Sequence, residues 1–164
     1  MHEMVIYGVS FDMVGKQPIV LLKTVDGNRF LPIWIGHPEA AAILMRLQGT
    51  QPPRPSTHDL FTEALTELGT KVTKVAITEL KENTFFAEVT VRSEGKDIVL
   101  DSRPSDALAL AVRAEAPIFA AVDVVEASGI EFEQESMADN EEMVQDFRKF
   151  LDEVKPEDFG SSGN

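Results

Sequence analysis

The 164-residue chain has no cysteine, a single tryptophan and a single tyrosine. Without cysteine there are no disulfides, no thiolate zinc sites and no thiol nucleophile. Recognisable catalytic signatures are missing too. The sequence has no Gly-rich phosphate loop, no Gly-x-Ser-x-Gly elbow, no His-Glu-x-x-His and no His/Cys zinc spacing. No apolar run approaches the roughly 20 residues needed to cross a bilayer. The N-terminus, Met1-His2-Glu3-Met4, runs straight into a strand-like segment and has no basic or apolar leader. These absences lead us to expect a soluble, cytoplasmic protein with no membrane partner.

Positive charge is also scarce. The formal net charge is −13, and residues 131–158 hold eleven acids against Arg148, Lys149 and Lys155. The first 130 residues carry 17 acids and 12 bases, so the core is only mildly acidic. Neither part offers the basic surface on which sequence-independent nucleic-acid binding relies, which disfavours DNA and RNA as partners. With 43% hydrophobic residues, on the other hand, the chain can bury a core.

The chain reads as α+β. Met4–Asp12, Ile19–Thr24 and Arg29–Ile35 are rich in β-branched and aromatic residues and predict three strands, with a turn at Asp26-Gly27-Asn28. Pro32 cannot donate to a ladder, so it predicts an edge or a bulge. Gly36-His37-Pro38-Glu39 then opens a helix, apolar on nearly every face, through Leu47. Ser56-Thr57-His58-Asp59 reads as a capping box for a helix through Leu68 that stops at Gly69, with Leu60, Phe61, Ala64, Leu65 and Leu68 on one apolar stripe. Lys71–Lys81, Thr84–Arg92 and Lys96–Leu100 predict three more strands. In the first of these, strict alternation puts Val72 on one face and Val75 and Ile77 on the other. Arg103-Pro-Ser-Asp106 then opens an Ala/Leu-rich helix. The two halves match in order, which predicts a duplicated β-β-β-α unit with a mixed or antiparallel sheet over residues 1–132. Residues 133–164 are expected to form an acidic linker, an amphipathic helix (about 139–155) and a tail. Open strand edges and this appended apolar helix predict a homo-oligomer, most simply a two-fold dimer.

The polar residues at the helix starts are the candidates for chemistry. Asp101 and Asp106 could share a divalent cation such as Mg²⁺ or Mn²⁺, and no organic cofactor is expected. Arg103 presents a planar fork suited to phosphate, and the helix start with Ser105 offers further anion donors. His58 beside Asp59 has the form of a general base with an orienting acid. His37 and Glu39 mirror Arg103 and Asp106 in the other half and could line a second site. Every one of these residues also has a structural reading as a helix cap, a dipole partner or a local ion pair.

Arg103-Pro-Ser-Asp-Ala-Leu-Ala-Leu-Ala-Val-Arg113, Pro32-Ile-Trp-Ile-Gly36, Pro38-Glu39-Ala40 and Arg54-Pro-x-Thr-His58-Asp59-Leu60 together resemble the bifunctional nuclease family. The resemblance covers roughly residues 4–132. It implies an enzyme hydrolysing phosphodiester bonds of DNA and RNA. The residue chemistry would then assign a metal to some of Asp101, Asp106 and Asp59, proton transfer to His58 and the phosphate grip to Arg103. The alternative is a non-catalytic binding or regulatory module acting as an oligomer.

Overall fold

A computed structural model describes residues 1–11 and 16–131. The expected acidic linker and C-terminal helix lie outside the described residues. The strands are β1 (His2–Phe11), β2 (Pro18–Thr24), β3 (Arg29–Trp34), β4 (Lys71–Lys81), β5 (Thr84–Ser93), β6 (Lys96–Ser102), β7 (Ile118–Ala120) and β8 (Ile130–Glu131). The helices are α1 (His37–Leu47), α2 (Thr57–Glu67), α3 (Pro104–Ala114) and α4 (Val122–Ser128). The strands form one sheet in the order β6-β5-β4-β7-β1-β2-β3-β8. Only β4 and β7 run parallel among the described strands. The fold is therefore mixed α+β on a mostly antiparallel sheet, and the order β-β-β-α occurs in both halves.

Local chemistry explains the hairpins. Glu82 and Asn83 close β4–β5 with φ of 49° and 60°, and Glu94 and Gly95 close β5–β6 with φ of 50° and 78°. Two successive left-handed residues match the right-handed twist of the strands they join. Pro32 sits opposite Leu21 on β2. On the other side of β3, β8 reaches only Arg29 and Phe30, so the missing N–H of Pro32 leaves no gap in a ladder.

Strict alternation fails in β4. Register shifts between Val72 and Lys74 and between Ile77 and Glu79 insert an extra residue each time. A bulge reverses the side-chain phase, so Val72, Val75 and Ile77 all enter the same core. That core lies between the sheet and α1, α3 and α4. α3 is its centre, with Pro104, Ser105 and Ala107 through Ala111 all buried. α1 buries only Ala40, Ala42 and Ile43. The apolar stripe expected of α2 contributes no fully buried residue. Leu60 is 60% exposed and Leu68 77% exposed, and only Leu65 packs on the core. None of the described helices is long and apolar enough to cross a membrane.

Leu108 is fully buried between α3 and the sheet. Leu108→Ala should cost about 2–5 kcal/mol in urea unfolding, because the surrounding helices can collapse only partly into the space.

Candidate functional site

α2 is held by charge at its first turn. The Ser56 N–H and hydroxyl donate to Asp59 Oδ2 at 2.8 and 2.6 Å, completing the expected capping box. Asp59 does not orient its neighbour His58. Its Oδ1 accepts from Arg113 Nε at 2.6 Å. The Arg113 side chain is 6% exposed, and its remaining N–H groups donate to the carbonyls of Ala42 on α1 and Ala109 on α3. The Ser56 hydroxyl is the largest influence on the Asp59 carboxyl. Burial opposes it, the Ser56 N–H and Arg113 reinforce it, and the pKa falls from 3.8 to about 2.

The acid that meets His58 comes from α3, 48 residues on, with Nε2 lying 2.9 Å from Asp106 Oδ1. Arg103 grips the same carboxylate, Nε to Oδ2 at 2.7 Å and Nη2 to Oδ1 at 3.1 Å. It also reaches Glu39 Oε1 at 3.1 Å. Burial pushes the Asp106 pKa up, but the hydrogen bonds and charges of Arg103 and His58 outweigh it, and the net shift is downward. An ionised Asp106 can only accept, so His58 Nε2 carries a proton toward it.

Asp101 completes the group. With His58, Asp106 and the ring of Phe61 it lines one cleft of about 240 Å³. Glu39 joins the same network through Arg103, whereas His37 is exposed, its ring 6.2 Å from that of Phe11. Ser105 lines a different cleft on the far side of Arg103. The Glu39 carboxylate lies against Gly36, where a Cβ would make it swing aside. No cluster of three or more His, Asp or Glu that could hold a metal occurs among the described residues.

This arrangement accompanies a clear relationship. Residues 20–133 match the model of the bifunctional nuclease domain. The chain belongs to the bifunctional nuclease domain family. An uncharacterized protein of Mycobacterium tuberculosis is 39% identical over 164 residues, covering 97% of this chain and 98% of its own length. Bifunctional nuclease 1 of Oryza sativa subsp. indica is 30% identical over 103 residues, 60% of this chain but only 31% of the rice protein. Bifunctional nuclease 1 of Arabidopsis thaliana is 28% identical over 108 residues, 63% of this chain and 33% of its own length. The plant proteins are thus about three times as long as the region shared with this family member.

Sequence reasoning missed Arg113. One signal was available, a lone cation in the last turn of a helix that after Asp106 is otherwise made of Ala, Leu and Val. Buried there, it has to be paired.

The low Asp59 pKa sets a pH dependence. A depressed folded-state value adds stability that is complete above the ordinary 3.8 and is lost as pH falls through about 2. Wild-type protein should therefore lose more thermal stability than Asp59→Asn across that interval, measured by circular dichroism. Equal slopes would remove Asp59 from the anchor.

Proposed function

We propose that the chain is a nuclease that hydrolyses phosphodiester bonds of DNA and RNA, working from the cleft shared by His58, Asp101 and Asp106. The 2.9 Å contact between His58 and Asp106 inside that cleft carries the reading. The plant relatives are named nucleases, which supports the same class.

In this mechanism Asp106 holds His58 in one tautomer and stabilises the imidazolium that forms. His58 Nδ1, without a partner among the described residues, takes a proton from the attacking water. Arg103 is 66% exposed at the rim and turns its guanidinium to the phosphate, stabilising charge as it develops on the phosphoryl oxygens. The proton held by His58 then passes to the leaving oxygen.

Mg²⁺ or Mn²⁺ fits poorly as a resident ion. Both Asp106 oxygens are engaged, and Asp101 stands opposite Glu88 across the β5–β6 pair with no third ligand. A divalent cation would enter with the substrate phosphate and rest on Asp101.

One observation favours the alternative of a non-catalytic binding module. Glu39, Asp106 and Asp59 are each already paired with Arg103 or Arg113, so much of the site's charge is satisfied internally. Turnover decides between the two. Highly purified protein should cleave single-stranded DNA and RNA, and His58→Ala and Asp106→Asn should each lower kcat by about 10²-fold or more. Cleavage unchanged in both variants would assign the activity elsewhere.

Self-association belongs to the same proposal. β6 is an edge strand whose Ile98, Val99 and Leu100 are 47%, 54% and 37% exposed. An open apolar edge of this kind invites pairing with a second copy. Light scattering should give a dimer mass, and Val99→Lys should return it to a monomer.

A further inference from the structure

Arg103 stands between two clefts. Beyond it from His58 lies a cleft of about 300 Å³, lined by Gln17, Trp34, Asn83, Phe85, Arg103 and Ser105 among others. Three kinds of anion donor meet there. Ser105 is only 6% exposed, yet its hydroxyl has no hydrogen-bond partner among the described residues and opens onto the cleft. A serine so far inside ordinarily has one. Like those of any helix, the first-turn N–H groups of Ser105 and Asp106 lack helical partners, and no side chain caps the start of α3. Arg103 supplies the third. The other walls are of another character. Ile33, Ile35, Leu80 and Phe85 are apolar, and Gln17 and Asn83 bring two side-chain amides. Apolar walls with a few polar groups in place are the usual make-up of a small-molecule site, and amides can pair with the edge of a base.

We propose that this second cleft binds one 5′-nucleotide unit. Its phosphate rests on the Ser105 hydroxyl, the first-turn N–H groups of α3 and Arg103, and its base lies against Phe85 within reach of Gln17 and Asn83. A base held this way cannot be paired, so the strand it belongs to must be single. Insofar as the inference concerns substrate, it rests on the nuclease reading. Arg103 then lies between the phosphate in this cleft and the scissile phosphate at His58, and the two clefts hold neighbouring nucleotides of one strand.

The test is titration of the full-length protein with 5′-AMP, adenosine and inorganic phosphate. Fluorescence of Trp34, the one tryptophan in the chain and part of the cleft lining, reports binding. 5′-AMP should give a saturable change, and Ser105→Ala should weaken it about 2- to 10-fold, the loss of one hydrogen bond. Asn83→Ala should weaken 5′-AMP while leaving phosphate alone unchanged. A response to inorganic phosphate equal to that for 5′-AMP, or an affinity unmoved by Ser105→Ala, would overturn the nucleotide subsite. So would the absence of both a fluorescence change and heat in calorimetry. A single-stranded oligonucleotide that displaces 5′-AMP where its duplex does not identifies a strand as the source, and displacement by neither identifies free nucleotide. Binding of 5′-AMP without cleavage of any strand upholds the subsite and defeats the hydrolytic reading.

Discussion

Arg113 carries a guanidinium into the interior, where a cation that cannot be deprotonated must find partners for its N–H groups. It finds them on three helices at once: Asp59 at the start of α2, the Ala42 carbonyl on α1 and the Ala109 carbonyl one turn back on α3. Removing any of these leaves charge or donors unsatisfied in a desolvated place, which costs far more than a surface ion pair contributes. α2 depends on this contact most. It has no buried residue of its own. Its position is therefore set by polar contacts at one end, and hydrophobic burial contributes little along its length. His58 sits in that anchored first turn, one residue from Asp59, so the geometry of the imidazole follows from a cation more than fifty residues away in sequence.

The same economy operates at the other end of α3. Asp106 lies in its first turn, where a carboxylate is favoured by the helix dipole. There it receives both Arg103 and His58. Helices α1 and α3 can lie close enough for Glu39 to join because the surfaces between them are built from alanine, and because Gly36 leaves room for the Glu39 carboxylate. The result is a chain of alternating charge, Glu39–Arg103–Asp106–His58, tying the starts of α1, α2 and α3 together. A structural ion-pair network and a catalytic constellation look alike at this level. The cleft beside His58 and the exposure of Arg103 are the features on which the proposed catalytic reading rests.

Much of the fold was legible because it is written locally. The bounds of β4, the capping box at Ser56 and the break at Gly69 follow from residue chemistry over a few positions, and the structure reproduces them. The constraint at Pro32 was legible for the same reason. What stayed hidden is not local. The two bulges of β4 are set by packing against β5 and α3, so strict alternation misplaced Val72 relative to Val75. The exposure of Leu60 and Leu68 follows from where Arg113 and Asp106 pin α2, and a helical stripe carries no information about that. The site was half legible. His58, Asp101 and Asp106 could be named from their chemistry, but the pairing of His58 with Asp106 spans 48 residues, and adjacency pointed to Asp59 instead.

Charge bears most directly on what such a site can bind. Beside His58 stand two carboxylates, Asp101 and Asp106, with Glu39 joined to them through the one exposed guanidinium, Arg103, in a chain whose net charge is −13. A phosphate cannot be drawn here by long-range attraction, so an encounter with nucleic acid has to be slow and weakly salt-dependent compared with that of a basic nuclease. Affinity must come from short-range fit: uncapped helix N–H groups, a hydroxyl, and one guanidinium that exchanges a carboxylate for a phosphate. That exchange costs little only if Asp106 keeps another partner while Arg103 turns away, and His58 is that partner. The imidazole and the guanidinium share one carboxylate. In the proposed hydrolysis, protonation of His58 would strengthen its hold on Asp106, and the step that charges the first would free the second.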